Sequence, residues 1–209
     1  MAATRVLLVR HGQSEWNAVG RWQGQADPPL SDTGRAQARS AARSLGALDA
    51  VFASDLQRAT ETAMIIAGEL GVGPVVVDPD LRERDAGEWS GLTRPEIEER
   101  YPGYLDSSPS FAAGAARRPP GWEPDESVLE RALRALATIG DAVDGGDVLA
   151  VTHGGLIYVV EGHLGQERIE RLANGAGRWV VVDGDRLTLG DRVLLVDDDE
   201  APVTIPKAI

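Results

Sequence analysis

Val6-Leu7-Leu8-Val9 is a continuous apolar run that stops at Arg10-His11-Gly12, and far along the chain Asp147–Thr152 (DVLAVT) repeats the pattern, stopping at His153-Gly154-Gly155. Runs of this kind, without polar alternation, read as strands covered on both faces, which belong to parallel sheets flanked by helices. The chemistry-bearing residues therefore sit at the carboxyl ends of strands, where open α/β sheets bind ligands. Parallel strands present those ends on one side, so the two histidines are expected to converge. A fixed guanidinium beside an imidazole, as in Arg10-His11, suits oxyanion chemistry: one group holds a phosphate-like anion while the other attacks or exchanges a proton. Gly12 is read as letting the backbone turn sharply and a ligand approach closely.

The chain between these strands alternates the two periodicities. Ala18–Leu30, rich in Gly, Gln and Pro, reads as a loop over the first strand's end. Ser31-Asp32-Thr33 offers capping oxygens ahead of a helix over Ala36–Leu45, which Gly46 closes. Ala50–Ala53 is a short strand, Leu56–Leu70 a helix ended by Gly71 to Pro74, and Val75–Val77 a third strand. Leu81–Leu92 is irregular and charged, and Arg94–Glu126 is Pro- and Gly-rich with one short helix near Glu96–Tyr101; a connection this long is read as a lid. Ser127–Val143 carries apolar residues at helical spacing. A helix is expected after His153, and Arg178–Asp183 with Arg186–Val196 form an edge hairpin around Asp183-Gly184-Asp185. The class is α/β, with a mainly parallel sheet and helices on both faces.

Length and composition bound the function. At 209 residues and 43% hydrophobic content, the chain is expected to form a single domain over residues 1–209. A net charge of −12, from 33 acidic against 21 basic residues, argues against nucleic-acid or membrane partners. Cysteine is absent and histidine occurs three times, which removes thiolate chemistry and argues against a zinc site. The apolar run after Arg5 is too short for a signal-peptide core, and no stretch approaches a membrane span, so the expected compartment is the cytoplasm. Lys207 is the only lysine, so an anion must be held by forked guanidinium groups.

Arg58 falls in the opening turn of the helix after the second strand, on the same face as Arg10, where helix amides also favour an anion. Glu83 follows the third strand on that side and is a candidate proton donor. His11, Arg10, Arg58, Glu83 and His153 together supply a nucleophile, a charge clamp, an acid and a second imidazole, a phosphoryl-transfer set. Other residues keep plainer readings. Arg82 and Arg84 either support Glu83 or pair with Asp85 or Glu88 on a solvated surface. His163 reads as a helix-end or surface residue, Arg117-Arg118 as an exposed loop pair. Trp16, Trp22, Trp89 and Trp122 are candidates to line a pocket, while Trp89 and Trp179 read equally as core residues.

Arg-His-Gly-Gln-Ser-Glu-Trp-Asn at 10–17 resembles the RHG signature of the histidine phosphatase superfamily, the phosphoglycerate mutase-like proteins. Similar in the same order are Pro29 to Gly34, Ser54 to Ala63, Leu81-Arg82-Glu83 through Gly87 to Gly91, and Thr152 to Gly155, which together span most of residues 5–160. The resemblance implies a three-layer α/β/α sandwich, mainly parallel with an antiparallel C-terminal edge. It implies His11 as the phosphorylated nucleophile, Arg10, Arg58 and His153 as phosphate ligands, and Glu83 as general acid and then base. Asn17, Gln23 and Gly154 join the substrate-binding set, and no cofactor or metal is called for.

Within the family the expected activity is hydrolysis of a small phosphorylated metabolite. The alternatives are a cofactor-dependent phosphoglycerate mutase and, in another class, a non-catalytic phosphate-binding protein of the same fold. The intact His-Arg-Glu-His set argues against the last. A mutase retains a doubly phosphorylated intermediate and needs extra positive charge for it. Arg94–Glu126 carries four arginines against seven acidic residues. The family's mutases resemble one another in a longer, more basic insertion, a site lysine and His-Gly-Asn where this chain has His153-Gly154-Gly155. Homo-oligomerisation is left open.

Overall fold

The computed structural model describes residues 2–105, 117–166 and 171–196. Its strands are β1 (Thr4–Arg10), β2 (Ala50–Ala53), β3 (Val75–Val77), β4 (Gly146–Thr152), β5 (Ala176–Asp183) and β6 (Arg186–Leu194). They form one sheet in the order β3-β2-β4-β1-β5-β6. The first four of that order run parallel, while β5 is antiparallel to β1 and β6 to β5. The expected sheet, parallel with an antiparallel C-terminal edge, is the one observed.

β1 lacks polar alternation because both of its faces are covered. Val6 and Leu8 pack against Val128, Ala132, Leu136 and Ile139 of α5 (Asp125–Ala142) and Leu156, Ile157 and Val160 of α6 (Gly154–His163). Leu7 and Val9 point to the opposite side, as the strand period of two requires. There they meet the alanine-rich faces of α2 (Asp32–Ser44) and α3 (Gln57–Leu70), including Ala38, Ala41, Ala59 and Ala63. Small side chains let these two helices lie close to the sheet. A third cluster holds Ala86, Trp89, Leu92, Ile97 and Leu105, with α4 (Arg94–Arg100) supplying Ile97 and Trp22 and Trp122 packed against it. A short helix, α1 (Glu15–Ala18), follows β1.

Helices α2 and α5 start earlier than the apolar periodicity predicts. Ser31 is the cap of α2, accepting from Gly34 N, so the helix begins at Asp32 rather than Ala36. Asp125 and Glu126 likewise form the first turn of α5. Acidic first-turn residues complement the helix dipole and carry no apolar signal. The expected lid, Arg94–Glu126, includes α4 and residues 117–126, and its middle, residues 106–116, lies outside the described residues.

Gly12 corrects an expectation, since it neither adopts a left-handed conformation nor opens space for a ligand. A Cβ at Gly12 would lie 2.5 Å from Gly34 O, and one at Gly34 would lie 2.0 Å from Gln13 O. The pair lets the backbone after β1 touch the first turn of α2.

α6 is tied to the edge hairpin by Glu161, which is fully buried, pairing with Arg178 at 3.1 Å and Arg192 at 2.5 Å. Among the described residues no helix is long and apolar enough to cross a membrane. No group of three or more His, Cys, Asp or Glu side chains among them is arranged to hold a metal ion.

Candidate active site

β1 and β4 are neighbours in register, Arg10 opposite Thr152, so His11 and His153 step off the same rung. The ring centroids are 5.0 Å apart, with planes tilted by 60°. His11 N donates to Thr152 O (3.0 Å), its carbonyl accepts from Asn174 Nδ2 (2.8 Å), and Gly12 N donates to Thr62 Oγ1 (3.1 Å). The expected convergence is therefore built into the sheet.

The tautomer of His11 follows from its partners. Nδ1 lies 2.6 Å from Gly12 O, which only accepts, so Nδ1 carries the hydrogen and Nε2 the lone pair. Arg58 Nε donates to that Nε2 at 3.2 Å. Burial, then the charges of Arg58 and Arg10, hold His11 well below the usual 6.5, and the ring is neutral at neutral pH. His153 is depressed in the same way by burial, Arg58 and His11. It is fully buried, and neither ring nitrogen has a hydrogen-bond partner among the described residues.

Arg58 is fully buried, donating to Ala26 O (2.7 Å) and Gly24 O (2.8 Å). Burial lowers its pKa to about 10, so it stays charged at neutral pH. At the start of its helix Gln57 N is engaged, donating to Asp27 Oδ1 at 2.6 Å. Arg10 is anchored through Nη1 to Leu172 O (2.6 Å), and Gly175 N donates to its carbonyl at 3.0 Å.

Glu83 faces this group from the loop after β3. Its Oε1 accepts from Arg84 N (2.8 Å) and its Oε2 from Gly155 N (3.2 Å). The loop is held from below: Arg131 donates to Asp80 O and Arg82 O, and Thr152 Oγ1 donates to Leu81 O at 2.7 Å. Arg131 is itself paired with both oxygens of Glu123, at 2.9 and 3.0 Å.

The residues open onto a cleft of about 180 Å³ lined by Arg10, His11, Asn17, Gln23, Arg58, Glu83 and Gly154 among others. Asn17 Oδ1 is engaged in capping Ser14 N at 3.1 Å, and Gln23 Oε1 accepts from Ser14 Oγ at 2.7 Å. Trp22 and Trp122 form part of the wall, whereas Trp89 is core and Trp16 packs against Gly91. Trp179 is half-buried, with the Arg5 guanidinium 4.5 Å from its ring centre.

The surface pairing of Arg82 and Arg84 with Asp85 or Glu88 does not occur. Arg82 pairs with Asp55 at 2.5 Å, and Arg84 is buried, donating to Glu123 O (2.6 Å) and pairing with Asp125 (2.6 Å). Both cations tie the Glu83 loop to neighbouring elements. Arg117 is exposed as expected, but Arg118 is half-buried over Trp122, 4.8 Å from the ring centre. His163 is the exposed last residue of α6.

The sequence pattern of the histidine phosphatase superfamily (branch 1) matches residues 6–189. The chain belongs to the histidine phosphatase superfamily. It is 34% identical over 195 residues to a phosphoglycerate mutase-like protein 4 of Arabidopsis thaliana, covering 88% of this chain and 82% of that one. A metal-independent phosphoserine phosphatase of Arabidopsis thaliana is 34% identical over 197 residues, covering 93% and 80%. The solved structure of a mycobacterial glucosyl-3-phosphoglycerate phosphatase in complex with VO3 superposes with a TM-score of 0.76 at 29% identity, covering 91% and 98%. Relatives bearing phosphatase names place this histidine phosphatase family member among the phosphoric monoester hydrolases.

Sequence reasoning missed the residues that hold the candidate site residues in place. Arg131 had a readable signal, a cation between Val128 and Ala132 on the buried stripe of α5. Thr62 lay inside a quoted motif without a role. Asn174 had no local signal, since its bond to His11 O spans 163 residues.

Proposed function

We propose that the protein hydrolyses small phosphomonoesters through a phosphohistidine on His11, as a single domain over residues 1–209 working in the cytoplasm without nucleic-acid or membrane partners. The observation that carries this reading is the fixed tautomer of His11, which aims a neutral Nε2 lone pair at the Arg58 guanidinium inside the cleft. Arg10 and Arg58 take the phosphoryl oxygens of the substrate, and His153 supplies a ring N–H beside them. His11 Nε2 forms a bond to phosphorus as the ester P–O bond breaks, and protonated Glu83 gives its proton to the departing oxygen. Glu83, now a carboxylate, takes a proton from water as the water oxygen bonds to phosphorus and the P–N bond breaks. Inorganic phosphate leaves with His11 neutral and Glu83 protonated again.

Transfer to water rather than to a second substrate is supported by three sequence features. No lysine precedes Lys207, Arg94–Glu126 has an acidic excess, and Gly155 stands after His153-Gly154. The test supplies a panel of sugar phosphates, phosphoserine and phosphoglycerates, and follows phosphate release. It then supplies 3-phosphoglycerate with and without 2,3-bisphosphoglycerate. Conversion to 2-phosphoglycerate that outruns phosphate release from every ester would replace hydrolysis with mutase activity.

A further inference from the structure

We propose that in this chain Gly155 is a positioning residue whose missing side chain leaves the Glu83 carboxyl group the place it holds against the Gly155 amide. The inference rests on Glu83 acting as the acid for the leaving group. Gly155 is the second residue of α6, so its N–H lacks an intrahelical partner, and it donates instead to Glu83 Oε2 at 3.2 Å. A Cβ at the same residue would lie 2.3 Å from Glu83 Oε1, 3.1 Å from its carboxyl carbon and 3.5 Å from Oε2. These are the three nearest heavy atoms to that position, and all belong to one carboxyl group.

Nothing in the backbone asks for glycine here. Gly155 is not in the left-handed region, and alanine is the better helix former at such a site. The contrast is Gly34, where an added Cβ meets a main-chain oxygen that has no room to retreat. At Gly155 it meets the far end of a flexible side chain, so an alanine displaces the carboxyl group and leaves the fold intact. The main chain of Glu83 does not follow the displacement. Arg131 and Thr152 hold the carbonyls of Asp80, Leu81 and Arg82 before it, Asp85 N after it donates to Glu123 Oε2 at 3.0 Å, and its own carbonyl accepts from Gln25 Nε2 at 3.2 Å. The side chain alone must turn, which carries its proton away from the departing oxygen.

Gly155→Ala, Glu83→Gln and the double variant are compared with the parent protein on p-nitrophenyl phosphate, whose leaving group needs little protonation, and on phosphoserine, whose alkoxide needs it. The expected result is a loss of about 10²-fold in kcat on phosphoserine for each single variant, and of less than about tenfold on the aryl ester. The double variant should be no slower than Glu83→Gln, because both changes remove the same proton transfer. The Gly155→Ala melting temperature should equal or exceed that of the parent. If Gly155→Ala leaves both esters untouched, or slows them equally with a lowered melting temperature, while Glu83→Gln keeps its leaving-group pattern, Gly155 has no positioning role and the role of Glu83 stands. Losses that multiply in the double variant overturn the proposal in the same way. If Glu83→Gln itself slows both esters equally, the assignment of the acid fails, and the role of Gly155 with it.

Discussion

Arg58 Nε donates to His11 Nε2 across 3.2 Å, so the proposed clamp and the proposed nucleophile are bonded directly to each other. The same guanidinium serves Ala26 O and Gly24 O, three acceptors around one planar fork. A lysine ammonium has neither the reach nor the geometry for all three. Arg58→Lys should therefore lower kcat/KM by about 10²–10³-fold. The melting temperature should fall too, because a buried carbonyl left without a donor costs about 1–3 kcal/mol. Steady-state kinetics with thermal melts decide it, and a variant within a fewfold of the parent would count against the clamp.

His11→Ala should remove the attacking nitrogen and reduce turnover by about 10³-fold or more. Rapid acid-free quenching of the parent protein with labelled substrate should trap an acid-labile phosphoryl group on His11. Label on His153 and none on His11 would reverse their roles.

Both imidazoles are kept neutral by the fold, well below the ordinary histidine value of 6.5. Above that pH neither folded nor unfolded chains protonate them, and they contribute no pH dependence. As pH falls through it, the unfolded chain binds protons that the folded chain refuses. Stability should then drop by about 1.4 kcal/mol per pH unit for each histidine until the depressed folded value is reached. Urea midpoints measured from about pH 7 to 5.5 should fall more steeply for the parent than for His153→Asn. Equal slopes would mean that the His153 ring protonates freely in the folded state.

Arg131→Gln breaks an ion pair whose side chains are 9% and 13% exposed, and removes the donor to two carbonyls of the Glu83 loop. Leaving Glu123 without its cation should destabilise the fold by about 3–5 kcal/mol, read from urea unfolding. Turnover should fall as well. A stable variant with unchanged kcat would separate this pair from the acid loop.

The fold was legible because its strongest signal, apolar runs ending in His-Gly, is also its central strand pair. The place of the candidate site was legible for the same reason: Arg10, His11 and His153 sit at strand ends, where the chain's order dictates the place. What sequence left hidden is long-range and backbone-mediated. The bonds from Asn174 to His11 O and from Arg131 to Asp80 O join distant segments through main-chain carbonyls, which look alike in every residue. Gly12 was misread because a glycine needed for contact with another backbone has the same letter as one needed for a turn.

The His11 amide is itself a rung, bonded to Thr152 O between the two innermost strands of the sheet. Amides at such a place exchange with solvent only when the whole chain opens. The proposed nucleophile then has no private route to disorder. Deuterium uptake at His11 should match the slowest amides of β1 and β4, and in rising urea catalysis and the sheet should vanish in a single transition, leaving no folded but inactive species to accumulate.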